Sequence, residues 1–429
     1  MSNLEANKST IVHMKFVGKV GAYSRVIEAP ASKSYLQRAL AIALLAEGTT
    51  TILGFSPSND VSAAIDCVQK LGAKVKIIDK TIVVTGTSQI NSNVMLNCGE
   101  SGLSTRMFSA IAALSSNIIT VTGEGSILNR PMDMVEDALS QLGKNVKSYK
   151  GKLPLELEGV INGNEIQISG EESSQLLTGL LIALPKLKQD SVIRVANLKS
   201  VPYVQMTIAI LGEFGINIEH ENYEHFKIKG NQLPKSTNYH VEGDWSGASF
   251  HLVAAAISGQ IEVSNLSETS LQADARILEV LKNCGASVLV KPNSISVVKN
   301  ELNAFHFDAT DCPDLFPPLA VLAACCSGKS RLKGVSRLKH KESDRAKTIQ
   351  AEFKKLGIEI NIDDDEMYIV GGPIHGASVD SHNDHRIAMA MAVLSLVSNG
   401  DIEVQNFDAV NKSYPNFLED FRLALGDYS

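Results

Sequence analysis

The sequence predicts an α/β protein of two domains, each built from three copies of one helix–strand–helix–strand unit with its most apolar helices inside. Three observations carry that prediction. Helical patterns run into Gly72, Gly143, Gly215, Gly285, Gly357 and Gly426, about 70 residues apart, so one unit recurs along nearly the whole chain. Between these glycines a second helix recurs, opened by a polar cluster and rich in Ala and Leu. The sixth unit stops after its helix, without the strands that follow the other five glycines, and the N-terminal segment STIVHMKFVG can supply one.

In chain order, the Ala- and Leu-rich helices are SKSYLQRALAIALLAEG, ESGLSTRMFSAIAAL, SSQLLTGLLIALP, DWSGASFHLVAAAISG, DLFPPLAVLAACCSG and DHRIAMAMAVLSLVSNG. Small apolar side chains on nearly every face suit burial on most sides, which puts these helices in the inner layer. A β-patterned run follows each: TTTILGF, IITVTGE, SVIRVAN, QIEVSNL, SRLKGVS and DIEVQNF. The glycine-ended helices come next, as AAIDCVQKLG, DMVEDALSQLG, VQMTIAILGEFG, ARILEVLKNCG, AKTIQAEFKKLG and NFLEDFRLALG. Three units per half give one domain over 27–237 and a discontinuous one over 1–26 plus 238–429. The linkers are expected near GAYSRVIEAP (21–30) and NQLPKSTNYH (231–240), where Pro, Gly and polar residues cluster.

A formal charge of −7 and a pI near 5.8 disfavour a general nucleic-acid binder or a protein of anionic membranes, so any anion site must be a local concentration of Lys and Arg. Six cysteines without a CxxC pair, two of them adjacent at Cys325 and Cys326, argue against structural disulfides and a zinc site. No apolar run reaches spanning length and MSNLEANKST has no apolar signal core, so a cytoplasmic protein is expected. GKS at 328–330 is no phosphate loop, because Ala323 stands where the motif needs glycine.

Polar residues gather at helix starts, where unpaired N–H groups and the positive dipole end attract anions. Ser, Thr and Asp there are ordinary N-caps. Capping does not call for cations in the first turn, yet Lys33, Arg130, Lys341, Arg386 and Lys412 stand at such places, a penalty that a bound anion would offset. Spacing puts Ser34 and Arg38 on one helix face, and Lys341 and Arg345 on another, flanking Glu342. Glu342 is thereby an acid/base candidate among cations.

PxSKSxxxRAL, ESGxxxR, RP, SSQ, SxPY, GDxSxAS, PD, KExDR, NDHR and NKSYPxF follow one another from about residue 12 to 420. In this order they resemble the 5-enolpyruvylshikimate-3-phosphate synthase family. The resemblance implies a two-domain inside-out α/β barrel of six βαβαββ-type units, with the active site in the cleft between the domains. It implies transfer of the enolpyruvyl group of phosphoenolpyruvate to the 5-hydroxyl of shikimate 3-phosphate, by a monomer needing no metal or organic cofactor. Each phosphate brings roughly −1.5 to −2 charges. Lys33, Arg38, Arg106, Arg130, Lys341, Arg345, Arg386 and Lys412 are expected to neutralise both substrates.

Carried over residue by residue, Lys33, Ser34, Arg38, Ser173, Ser174, Gln175, Ser200, Tyr203, Asp314 and Lys341 would hold shikimate 3-phosphate. Lys33, Gly102, Arg130, Gln175, Arg345, Arg386 and Lys412 would hold phosphoenolpyruvate. Asp314 would act as base on the hydroxyl and Glu342 as proton donor to the methylene carbon, assisted by Lys33, Lys341 and His385. Burial would favour the protonated Glu342 and its cationic neighbours would oppose it.

Three positions depart from the family pattern: Ala31 where Gly is usual, Glu100 where Asn is usual, and Arg337 where Asn is frequent. Glu100 adds a negative charge beside the expected phosphate site. The sister family that transfers enolpyruvyl to UDP-N-acetylglucosamine typically has Asn where Ser34 stands and a reactive Cys near Arg130, where LNRPMDM has none. RNA 3′-phosphate cyclases, which share the repeated unit, would need a basic surface. A non-catalytic anion-binding relative would have no use for both Asp314 and Glu342.

Overall fold

A computed structural model describes residues 12–19 and 23–426. The chain is a mixed α/β fold of five four-stranded sheets and one three-stranded sheet among the described residues. One rule builds them. In the second unit Val94–Asn97 lies parallel to Ile119–Thr122, across the helix Gly102–Ala112, because parallel neighbours need a crossover. The hairpin Asn145–Tyr149 and Lys152–Glu158 then folds back antiparallel onto that pair. Glu165–Ser169 with Ser191–Ala196, and His306–Asp308 with Lys329–Lys333, repeat the parallel step.

Two strands trade places between the halves of the chain. Ser24–Glu28 precedes the first helix yet pairs in parallel with Gln260–Ser264. Asn238–His240 precedes the fourth unit's helix yet pairs in parallel with Thr49–Leu53. Both stretches expected as linkers therefore contain strands, with Pro30 and Pro234 lying outside them. In the three-stranded sheet, His13–Phe16 pairs antiparallel with Asn399–Gln405 in the place that a hairpin strand fills elsewhere. The rest of the N-terminal segment expected to join the C-terminal half, 1–11 and 20–22, lies outside the described residues.

The two helix series differ in burial as their sequences require. Every residue of Gly102–Ala112 and of His385–Ser395 is buried. Asn59–Lys70 instead buries Asp60, Val61, Ala64, Cys67 and Val68, a single stripe at helical spacing. Small residues let the inner helices approach closely: a Cβ added at Gly179 would lie 2.7 Å from the carbonyl oxygen of Met107 on the neighbouring helix. All six repeat glycines end their helices with φ between +77° and +117°, the left-handed cap that only glycine adopts freely. Buried apolar residues form two clusters, one drawn from 31–241 and the other from 16–29 and 245–424.

Candidate active site

The inner helices begin around one cavity of about 500 Å3, lined by residues from both halves of the chain. Of the residues singled out in the sequence, Lys33, Ser34, Arg38, Gly102, Arg106, Arg130, Ser173, Ser174, Gln175, Ser200, Tyr203, Asp314, Arg337, Lys341, Glu342 and Arg386 line it. Local structure aims them. Arg38, fully buried on the helix Lys33–Leu45, donates from NH1 to the Ser34 carbonyl (2.8 Å) and from Nε to Thr207 Oγ1 (2.9 Å). The Ser200 N–H is held by Asp311 Oδ1 at 2.7 Å, and its hydroxyl accepts from Arg337 at 3.0 Å. Gly102 sits where an added Cβ would lie 3.0 Å from Arg130 and 3.1 Å from Arg106.

Arg345, His385 and Lys412 do not line the cavity; they stand behind its wall. Arg345, wholly buried, reaches Asp314 (2.9 Å), Glu342 (2.6 Å) and Asp384 (2.9 Å), and so fixes both candidate catalytic carboxylates. His385 Nε2 accepts from Arg386 NH1 at 2.8 Å, which leaves the proton on Nδ1. Lys412 bonds Glu100 at 2.9 Å and the carbonyl of Asn383 at 2.6 Å. The helix expected to carry Lys341 and Glu342 begins only at Arg345. Both residues come from the preceding loop, Lys341 reaching Asp314 at 3.4 Å and Glu342 reaching Arg345 at 2.6 Å, not through helical spacing.

Charge is balanced more internally than the sequence suggests. Lys33, disfavoured by the helix dipole, is met by Asp60 at 2.7 Å. Arg386 and Lys341 reach Asp314 at 3.2 and 3.4 Å, and Arg130 reaches Glu342 at 3.7 Å. Arg38 and Arg106 pair with no carboxylate among the described residues, and burial pushes each guanidinium down to about 10. The Nε groups of Arg106, Arg130, Arg337 and Arg386 are buried and have no protein acceptor. Arg38, Arg106, Arg130, Arg337 and Arg386 all line the one cavity, and five guanidinium groups there point to an anionic, oxygen-rich ligand.

Burial, the largest single influence, would raise the Asp314 carboxyl, but Arg386, Lys341 and Arg345 together outweigh it and hold it well below the usual range. Glu342 is governed the same way, by burial opposed by Arg345 and then Arg130, and the cations again win. The balance left open for Glu342 in the sequence thus falls on the ionised side. Burial, followed by the charge of Arg386, holds His385 well below the ordinary histidine range and keeps it neutral.

Sequence reasoning passed over Gln37, Asp60 and Asp274 as site residues. Gln37 lies one turn after Lys33 and donates to Ser101 Oγ and Ser104 Oγ, tying the first two units together. Asp60 was hidden by its position in a helix start, where an acid is ordinary. Asp274, buried beside the cavity, accepts from the Ser246 hydroxyl and leaves Oδ1 without a partner. Burial and then Asp314 raise it to about 7. A carboxyl raised from about 4 to about 7 binds more protons folded than unfolded in that window, so it lowers stability progressively as pH rises from 4 to 7. Asp274→Asn should therefore match the parent below pH 4 and be more stable above pH 7 by a few kcal/mol. Chemical denaturation across that range checks this, and a gap that does not grow with pH would refute it.

Comparison with known proteins gives a consistent picture. The family model described as “EPSP synthase (3-phosphoshikimate 1-carboxyvinyltransferase)” matches residues 17–421. A 3-phosphoshikimate 1-carboxyvinyltransferase of Clostridium novyi is 38% identical over 412 residues, covering 93% of this chain and 95% of that protein. The enzyme of that name from Clostridium kluyveri is 36% identical, with 94% and 95% covered. The solved structure of EPSP synthase from Acinetobacter baumannii superposes with a TM-score of 0.82 at 25% identity, covering 96% of this chain and 98% of that one.

Proposed function

Because the chain belongs to the EPSP synthase (3-phosphoshikimate 1-carboxyvinyltransferase) family, it transfers the enolpyruvyl group of phosphoenolpyruvate to the 5-hydroxyl of shikimate 3-phosphate in the shikimate pathway, and we propose how its cleft divides that work. Ser34, Arg38, Ser173, Ser174, Ser200 and Lys341 hold shikimate 3-phosphate, with Tyr203 against it. Gly102, Arg130, Arg345, Arg386 and Lys412 serve phosphoenolpyruvate, and Lys33 and Gln175 touch both. The five arginines that line one cavity carry this reading, because the two substrates supply phosphate and carboxylate oxygens in quantity. Arg345 contributes chiefly by fixing Asp314 and Glu342, and His385 by orienting Arg386.

Asp314 takes the proton of the 5-hydroxyl as its oxygen bonds the central carbon of phosphoenolpyruvate, and Glu342 protonates the methylene carbon. In the second half the methyl proton returns to Glu342, the carbon–phosphate oxygen bond breaks, and phosphate leaves into the cationic cluster carrying the hydroxyl proton that Asp314 had taken, so both carboxyls regain their starting states. Glu342, ionised in the free cleft, must first gain a proton. Substrate anions on Arg130 and Arg386 offset the positive charge that depresses it, so binding itself raises its affinity for the proton. No step calls on a metal or organic cofactor.

Two further proposals concern organisation. The chain forms a two-domain inside-out α/β barrel of six βαβαββ-type units, with the domain exchange near residues 30 and 242 instead of at 27 and 238. The two traded strands and the two apolar clusters support that division. The chain acts as a cytoplasmic monomer, as the family resemblance implies; separately, among the described residues no helix is long and apolar enough to cross a membrane.

The test is phosphate release from phosphoenolpyruvate, with shikimate 3-phosphate or UDP-N-acetylglucosamine as acceptor. Release that depends on shikimate 3-phosphate is expected. Release only with the nucleotide sugar would overturn the acceptor assignment, and silence with both would overturn the catalytic reading.

A further inference from the structure

Lys412 and Glu100 come from opposite halves of the chain and meet at 2.9 Å, with side-chain exposures of 8% and 20%. Neither is loosely held. Glu100 also accepts the N–H of Ser126 through Oε2 at 3.1 Å. The turn that offers this N–H packs flat against the carboxylate: an added Cβ at Gly125, which has φ of +56°, would lie 2.5 Å from it. Lys412 is anchored from its other side by the Asn383 carbonyl at 2.6 Å. The ammonium's hydrogen-bonding capacity is thus partly committed to a built-in carboxylate. That carboxylate lies one residue before Ser101, the cap of the helix whose start lines the cavity.

We propose that Glu100 sets the affinity and charge preference of the phosphoenolpyruvate site, by occupying Lys412 and by opposing the approach of a second anion. This rests on the reading that Lys412 serves phosphoenolpyruvate. A phosphate that reaches for Lys412 must share it with Glu100 or displace it, and repulsion from Glu100 grows with the charge of the ligand. A dianionic phosphate is therefore penalised more than a monoanionic one. Glu100 touches no reacting atom; it acts through Lys412 and through its field.

The experiment compares Glu100→Gln, Lys412→Ala and the double variant by steady-state kinetics on both substrates at pH 5.5 and pH 8. Gln keeps the size and can still accept from Ser126 while losing the charge. Glu100→Gln is expected to lower KM for phosphoenolpyruvate roughly tenfold at pH 8, the factor matching one charge-assisted hydrogen bond. The gain should shrink at pH 5.5, where the phosphate carries less charge because its second pKa is about 6. It should also shrink in the Lys412→Ala background, while KM for shikimate 3-phosphate moves little. An unchanged or higher KM for phosphoenolpyruvate in Glu100→Gln, or a gain independent of pH, overturns the proposal. If Lys412→Ala leaves KM for phosphoenolpyruvate untouched, the underlying assignment of Lys412 fails instead, so the two failures are distinguishable.

Discussion

Asp314→Asn is expected to lower kcat by about a thousandfold, within the range of 10²–10⁴ that a positioned general base contributes, while both substrates still bind. Asn keeps the shape but cannot take the hydroxyl proton. The loss should fall mainly on kcat, because a base acts on the transition state more than on the bound ground state. Stability should respond as well. Asp314 is the shared partner of Arg386, Lys341 and Arg345, and its removal leaves Arg386 and Lys341 short of a counter-charge in a cleft that excludes much water. The variant should therefore unfold at a lower temperature than the parent. Added inorganic phosphate should restore more of that loss in the variant, since the anion supplies the missing charge. Retained kcat would remove Asp314 from the role of base, and full loss of substrate binding would make its role that of a ligand.

Glu342→Gln is expected to reduce kcat by about 10²–10⁴-fold for the complementary reason, the loss of the group that delivers a proton to carbon. Its effect on phosphoenolpyruvate should have the opposite sign to that on turnover. Without the carboxylate, Arg130 and Arg345 present more positive charge, so affinity should rise even as turnover falls. The pH dependence of folding separates this variant from a merely damaged one. Glu342 is depressed in the folded state, so its contribution to stability is present above about pH 4.5 and is lost as pH falls below that. Glu342→Gln should be less stable than the parent at pH 7, and the difference should close on acidification. Binding by calorimetry, single-turnover kinetics and acid unfolding together test it, and a variant with near-parental kcat would sink the assignment.

The helix ends were readable because their cause is local. A glycine at Gly72 or Gly357 that must adopt positive φ after an apolar helical stripe can be read from a dozen neighbouring residues. The same holds for the inner helices, whose small apolar side chains mark burial on all sides, and for Ser34 and Arg38, which the structure joins through the spacing that the sequence offers. Other features depend on partners far away in the chain. Strand propensity at Ser24–Glu28 and Asn238–His240 does not say which sheet each enters, so both stretches read as linkers although they are the strands that cross between halves. Lys341 and Arg345 read as one helix face that the backbone does not adopt, because the helix begins only at Arg345 and Lys341 lies in the loop before it, held to Asp314.

The sequence by itself determined the sixfold repeat, the two helix series, the family and many of the charged and polar side chains that line the cleft, since each of these is written in local pattern or in motifs kept in order. Only the tertiary structure decided how the charges are used. Whether a lysine awaits a substrate or already holds a carboxylate depends on distances of about 3 Å between units remote in sequence, as for Lys33 at its helix start with Asp60 and Lys412, which ends the 3-10 turn Phe407–Lys412, with Glu100. Whether Glu342 is protonated depends on the sum of burial and several cations at once. Electrostatic energy falls with separation and rises with burial, and neither quantity exists until the chain has folded.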